Sequence, residues 1–478
     1  MNPIEECICY HSFSYSKSLM AELRRHKFCA VSYSEKADVL AICNITKNYL
    51  IDSFKKIVED FIVSFDDVRQ FIQLYSATPN PSLSKMLSFR QTCRYIFYLL
   101  PTLNLTSEKN TKSDLDNMQE LCKLIAINNL LQEVNQAYGI QSLVDYNCLQ
   151  IELEKYLDIT YTDSFIVKLI TELSSSILQI HKNFSPESYL KQLLALLDKL
   201  SQSTKRIFDY SAKFINSPAD IFEITEDVDD EDLIIKGLIF NEDNVNLYQS
   251  FDQPLNPQFR TRFRPFICLK IDGKKRIFTT FWLIYEALDE ISLNLLPYAN
   301  FPKEWSEISE IKKLAENVQR DLGVEFEKEV SSIIGNKYLI KSDISGFNHI
   351  SLKKEIVPKT NRKVGQIDFL VIDEAKKIIY VIDAKCTKTK SFFQTFRLDK
   401  DTFDNYSTKL EDKVNWISTH KNVVAQFFKK DSFDDFKVEG IFVTNSLIFY
   451  GFFSSIPIIP LDKLLSYLEK RDMKALID

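Results

Sequence analysis

The tightest constraint in this chain is a pair of apolar runs, residues 367–372 and 378–382, that each carry an aspartate at one end. Between them lies Asp373-Glu374-Ala375-Lys376-Lys377, a polar stretch suited to a hairpin, so the runs read as neighbouring antiparallel strands. If Glu374 to Lys377 form the loop, Asp373 pairs with Ile378. Counting back then sets Asp368 opposite Asp383 and Gln366 opposite Lys385. Side chains alternate along a strand, so Gln366, Asp368, Asp383 and Lys385 share one face, while Ile367, Phe369, Ile382 and Ala384 share the other. A carboxylate inside a β-branched run is costly to bury without a partner.

Two carboxylates and an ammonium on one surface match the needs of a hard divalent cation. Mg²⁺ takes oxygen ligands and is usually held by one or two carboxylates, waters and substrate phosphate. Asp368 and Asp383 would supply the carboxylates, and Lys385 would orient a water or neutralise developing charge. The bland alternative is a set of strand-end ion pairs to Lys385.

Taken together, Phe326-Glu327 on a helix, Gly365-Gln366-Ile367-Asp368 on one strand and Asp383-Ala384-Lys385 on the next resemble the PD-(D/E)xK nuclease superfamily. The resemblance covers about residues 305 to 478 and singles out no particular family. In a chain with 26% charged residues, the bare acid and [Asp/Glu]-x-Lys pattern is expected by chance about once or twice, so the placement of both acids in apolar runs carries the weight. The resemblance implies a restriction-endonuclease-like fold and Mg²⁺-dependent hydrolysis of phosphodiester bonds, with Mn²⁺ as a substitute. It further implies DNA in preference to RNA, and a setting in restriction, anti-phage defence or repair, of which defence is favoured. Catalytic roles then fall to Asp368, Asp383, Lys385 and Glu327, and metal binding to Asp368, Asp383 and Glu327.

Helical geometry supports Glu327 among the three glutamates of this segment. With Phe326, Val330, Ile333 and Ile334 as the buried stripe, Glu327 lies about 60° from Val330 around the axis and Glu325 about 140°. Gln366 stands where many relatives have Glu, which leaves one-metal chemistry open. Further on, residues 406–428 read as an amphipathic helix with Leu410, Val414, Ile417, Val424 and Phe428 in period, followed by a strand over residues 438–444.

The net charge of −6 argues against a protein coated in basic surface, yet residues 353–397 hold eleven Lys/Arg against five Asp/Glu. Such a local patch can attract phosphate. Candidate nucleic-acid contacts are Lys388 and Lys390 in that patch, Lys409 and Lys413 one helical turn apart, and Arg260, Arg262 and Arg264, which alternate with aromatics as on one face of a strand. A charge-protected edge strand explains the arginines equally well. A hairpin follows them, turning at Asp272-Gly273.

Length, 478 residues, implies two or three domains. The division expected is a small α/β lobe over 1–50, a helical domain over 51–223, a linker and hairpin region over 224–303 that opens on the acidic run 225–232, and the nuclease domain over 304–478. The fold class is thus α+β, helical in its first half, with a mixed central sheet in the C-terminal domain. Nine cysteines without a Cys-x-x-Cys pair and five scattered histidines speak against zinc. The acidic start and the lack of a spanning apolar segment predict a soluble cytoplasmic protein without membrane contact. The helical half would offer a surface for a protein partner, and a homodimer is left open. The reading from a different class is a non-catalytic nucleic-acid-binding or scaffold subunit of a larger defence or repair complex.

Overall fold

The computed structural model describes residues 3–28, 30, 32–77, 83–108, 114–154, 156–177, 187–201, 220–224, 232–245, 263–291, 298, 301–335, 337–344, 350–352, 355–357, 364–387 and 396–477. The chain is α+β, with a largely helical first half, and divides into two compact units. The first comprises residues 1–162 and 185–319, the second residues 163–184 and 320–478. The division differs from the sequence-based one in three places. Residues 1–50 are no separate lobe, because Lys36–Phe61 is one continuous helix and Ser32–Tyr33 pairs with Leu149–Glu152. Val39, Ile42, Cys43, Thr46 and Leu50 are buried at helical spacing, which overrides the strand preference of the short apolar runs. Residues 224–303 belong to the first unit rather than to a linker, and the second unit begins at Arg320, inside a helix, not at residue 304.

In the first unit, helices Lys36–Phe61 and Asp114–Leu143 pack along each other, and the hairpin Phe266–Ile271 with Lys274–Thr279 forms as the sequence implied. Its turn has positive φ at both Asp272 (47°) and Gly273 (75°), the geometry that asks for Asp-Gly. Asp232, the last residue of the acidic run, caps helix Leu233–Leu238 by accepting from the Ile234 and Ile235 N–H groups. The rest of that run lies outside the described residues.

The second unit holds helix α1 (Ser164–Ile177), the C-terminal part of α2 (Ser309–Gly335), strand β1 (Leu339–Ile344), the short hairpin β2 (Ile350–Leu352) and β3 (Glu355–Val357), then β4 (Ile367–Asp373) and β5 (Ile378–Lys385). After these come α3 (Phe396–Thr419), α4 (Lys421–Phe428), β6 (Lys437–Thr444), β7 (Ile458–Pro460) and α5 (Leu464–Lys470). The sheet runs β7-β6-β5-β4-β1; its β1, β4 and β5 are antiparallel neighbours, and β5, β6 and β7 are parallel. It is therefore mixed. The expected α3 stretch over 406–428 is two helices, interrupted at His420, whose backbone (φ −124°, ψ 35°) leaves the helical region.

Alternation assigns the two faces. Phe369, Val371, Ile378, Tyr380, Ile382, Ile441 and Val443 pack with Phe326, Val330 and Ile334 of α2 and with Leu464 and Leu468 of α5. The other face meets α3: Phe403 stands edge-on to Phe442 with ring centres 5.3 Å apart. Gly440 on β6 sets how closely α3 approaches. A Cβ there would lie 2.9 Å from Val414 Cγ2 and 3.1 Å from Leu410 Cγ. Gly440→Val should therefore destabilise by about 1–3 kcal/mol through overpacking. The change is read as a lowered urea midpoint at unchanged slope, and an unaltered midpoint would mean that α3 does not rest on β6 as described.

Candidate active site

The β4–β5 hairpin has the register that the sequence implied. Asp373 pairs with Ile378, and the ladder continues to Phe369 opposite Ile382. In the loop, Asp373 accepts from the Lys376 N–H at 3.0 Å, and Lys377 takes a left-handed conformation (φ 53°) to complete the turn. At the other end, the Asp368 carboxylate rather than a backbone carbonyl accepts from the Ala384 N–H, at 2.9 Å. Asp368 thus stands beside Asp383, on the face opposite Ala384.

Four charged groups meet there. Lys385 Nζ lies 3.0 Å from Asp383 Oδ2 and 3.9 Å from Asp368 Oδ2, so it bridges the two acids. The remaining oxygen, Asp383 Oδ1, accepts from Lys413 Nζ at 2.8 Å. Lys413 reaches the site from α3 and is 7% exposed; Asp383 is 4% exposed. The Tyr406 ring, two turns earlier on α3, lies 5.5 Å from Lys385 Nζ and closes that side.

The two aspartates are driven apart electrostatically. Burial, and then the neighbouring charge of Asp383, push Asp368 up to about 7 from an ordinary 3.8, against the pull of Lys385, the Ala384 N–H and Lys413. For Asp383, burial acts in the same upward direction, but Lys385 and Lys413 outweigh it and hold the carboxyl below its ordinary value. Burial lowers Lys385, and the two carboxylates more than reverse this, so that its ammonium is favoured. The ionised form is thus favoured at Asp383 and the ammonium at Lys385, while Asp368 holds its proton more firmly than an ordinary aspartate.

The other expected site residues divide into three groups. Arg260, Arg262, Lys388 and Lys390 lie outside the described residues. Arg264 is corrected: it is 1% exposed, with its guanidinium donating to the Lys236 and Ile239 carbonyls and to Glu304, so it ties the end of helix Leu233–Leu238 to Glu304 and presents no surface to nucleic acid. Arg264 itself precedes the strand, which begins at Phe266. Lys413 is also corrected, from a surface phosphate contact to a buried partner of Asp383, whereas Lys409 is exposed as expected. Within the basic stretch 353–397, Lys376 and Lys377 are engaged with Asp373 and Asp435.

Glu327 is half-buried on α2, and Glu325 is exposed and paired with Lys328, in keeping with the choice between those two. However, α2 packs on the sheet face opposite the one that bears Asp368 and Asp383. Glu329, not singled out from sequence, is the α2 carboxylate whose charge reaches Cys386; burial first and Glu329 second raise that thiol to about 11. Among the described residues no group of three or more His, Cys, Asp and Glu side chains gathers as a cation site. The two acids that the structure brings together here are Asp368 and Asp383. Two close carboxylates, one of them raised by burial and by the charge of the other, still fit a divalent cation, whose charge would replace the proton on Asp368.

The signal for Lys413 was present in the sequence. It lies three residues after Leu410 and four before Ile417, both buried on α3, so a lysine there points inward and needs an acid. Comparison of the chain with protein-family models, curated proteins and solved structures returned no match. No helix among the described residues is long and apolar enough to cross a membrane.

The pH dependence of stability follows from Asp368. Below about 4 the group is protonated in folded and unfolded chains alike and has no effect. Between about 4 and 7 the folded chain keeps a proton that the unfolded chain lacks, so rising pH costs stability, and above 7 the full penalty remains. Asp383 acts in the opposite sense, contributing stability that is lost as pH falls through and below the ordinary carboxylate range. Asp368→Asn should therefore be more stable than wild type at pH 8 without divalent cations, and the two should converge towards pH 4. Urea unfolding at intervals over that range measures it; parallel curves would contradict the raised Asp368.

Proposed function

We propose that the second unit is a nuclease of restriction-endonuclease-like fold that hydrolyses phosphodiester bonds with Mg²⁺, and that its substrate is DNA. The observation that carries this reading is the convergence of Asp368, Asp383 and Lys385 on one face at the open end of the β4–β5 hairpin. The order of α2, hairpin, α3 and β6 around a mixed sheet supports it, as does the motif resemblance. Asp368 and Asp383 would hold the cation, and Mn²⁺ would substitute for it. When bound, the cation supplies Lewis-acid activation of the scissile phosphate and of a water.

The protein's own groups have distinct tasks in this scheme. Asp383, kept ionised by two ammoniums, is the fixed negative charge. Asp368, whose proton is loosely held, is the group that responds to the arrival of a cation or of a proton from an attacking water. Lys385, at 26% side-chain exposure the most open of the four, is placed to meet a phosphate oxygen once it is released from bridging the acids. A role in restriction or anti-phage defence is the setting we infer for such an endonuclease, with the first unit recruiting or recognising a partner.

A second reading has a specific observation in its favour. Two carboxylates and two ammoniums balance without any cation, so the quartet also suits a non-catalytic nucleic-acid-binding or scaffold subunit in which the ion pairs merely hold α3 to the sheet. Wild type and Asp383→Ala, compared on plasmid, linear and single-stranded DNA and on RNA with Mg²⁺, Mn²⁺ or EDTA, separate the two. The nuclease reading expects cation-dependent cutting of DNA that falls by at least about 100-fold in the variant. Cutting that survives Asp383→Ala would reject the site, and a wild type that binds DNA without cutting it under any of these conditions would favour the scaffold.

A further inference from the structure

Lys413 distinguishes between one cation and two. A site that holds two divalent cations needs a carboxylate between them, with one oxygen for each, and further acids on the outer sides. Asp383 has the central position in the quartet, with an ammonium on each oxygen, but its two oxygens are used unequally. Oδ2 faces Asp368 across the Lys385 ammonium, at a surface where Lys385 retains 26% side-chain exposure. Oδ1 faces inward to Lys413, whose side chain is 9% exposed and whose ammonium is 2.8 Å away. The two ammoniums therefore differ in how easily they can be displaced. Lys385 can swing out to solvent or substrate, while Lys413 is enclosed between α3 and the sheet, with Leu410 and Ile417 fully buried to either side along the helix.

Resting on the nuclease reading, we infer that Lys413 is a fixed positive charge in the place a second cation would take, so that this site accepts a single divalent cation, between Asp368 and Asp383 Oδ2. The residue just before β4 points the same way, since residue 366 is Gln, a neutral side chain in place of a third acid. Lys413 acts here as a positioning residue. It holds the Asp383 carboxylate in the rotamer that turns Oδ2 towards Asp368, and it reduces the net charge offered to an incoming ion.

Removing that charge strengthens cation binding instead of weakening it, a result that a merely structural lysine would not give. The test uses the full chain and Mn²⁺ alone, with stoichiometry and affinity followed by calorimetry and by the electron paramagnetic resonance of free Mn²⁺. Wild type, Lys413→Met, Lys413→Arg, Asp383→Asn and Asp368→Asn are compared, each checked for folding by circular dichroism. The expected result is one Mn²⁺ per chain in wild type and in Lys413→Arg, with affinities within about threefold. In Lys413→Met, binding tightens by at least about tenfold, because a unit charge within a few ångströms of the ligand oxygen is gone, or a second ion enters. Should Lys413→Met not fold, wild type and Lys413→Arg still decide the stoichiometry. Two ions in wild type, or a Lys413→Met titration that overlays the wild-type one, overturns the inference and leaves the nuclease reading standing. Wild-type binding that is absent, or that persists unchanged in both aspartate variants, overturns the nuclease reading itself.

Discussion

A carboxylate in the middle of a sheet is the constraint on which the second unit turns. Asp383 follows five consecutive apolar residues of β5 and is covered by α3, so its charge is viable only if cations come to it. Lys385 arrives from the same strand, two residues on and therefore on the same face. Lys413 arrives from α3, which brings the helix into register with the strand. Replacement of such a pair by apolar residues of similar volume is often neutral or stabilising, while removal of one member alone is costly. The cluster is thus expensive relative to a hydrocarbon core that would hold the same elements together, and the expense is concentrated at one end of one hairpin. That choice of place is what the proposed chemistry on a charged substrate would call for.

The same interaction explains why Gly440 and Lys413 belong to one design. Gly440 allows Val414 and Leu410 to settle against β6, and that close approach brings Lys413, on the neighbouring position of the helix, within 2.8 Å of Asp383. A helix held an ångström further out would leave Asp383 with Lys385 alone and draw its carboxyl back towards the ordinary range. Packing on one strand therefore sets the protonation behaviour of an acid on the next.

Much of this was legible from residue order because it depends on period two. The polar pentapeptide between two apolar runs fixed the register, and the register fixed which side chains share a face; Asp373 opposite Ile378 and Phe369 opposite Ile382 follow from counting. The Asp-Gly turn at 272–273 was equally local, since positive φ at two successive positions admits few residues. What was not legible depended on distant partners. Arg264 looked like one of three solvent-facing arginines, and its burial against Glu304 and two carbonyls could not be inferred from its neighbours in sequence. The boundary at 320 was missed because the chain divides within a helix, whose sequence pattern runs on through the change of unit. Residues 1–50 misled for another reason: β-branched apolar residues in threes and fours look like short strands until one sees that Val39, Ile42, Thr46 and Leu50 line one side of a helix.

Glu327 marks the point where resemblance and geometry part. The motif assigns it to the site, while the faces of the sheet assign α2 to one side and the aspartates to the other. An acid on α2 can join Asp368 and Asp383 only past the end of β5, where the strand gives way to Cys386 and Thr387 and where the charge of Glu329 is already felt at the Cys386 thiol. With two acids and two lysines in place before any helix glutamate contributes, the local charge balance is near zero. On the nuclease reading proposed above, a divalent cation would bind as a replacement for the Asp368 proton and for the bridging Lys385 ammonium, and would not fill a waiting negative cavity. Such a site would gain its cation most readily with a phosphate present to take up the displaced lysine, so that on that reading cation and polynucleotide would be cooperative ligands by electrostatics alone.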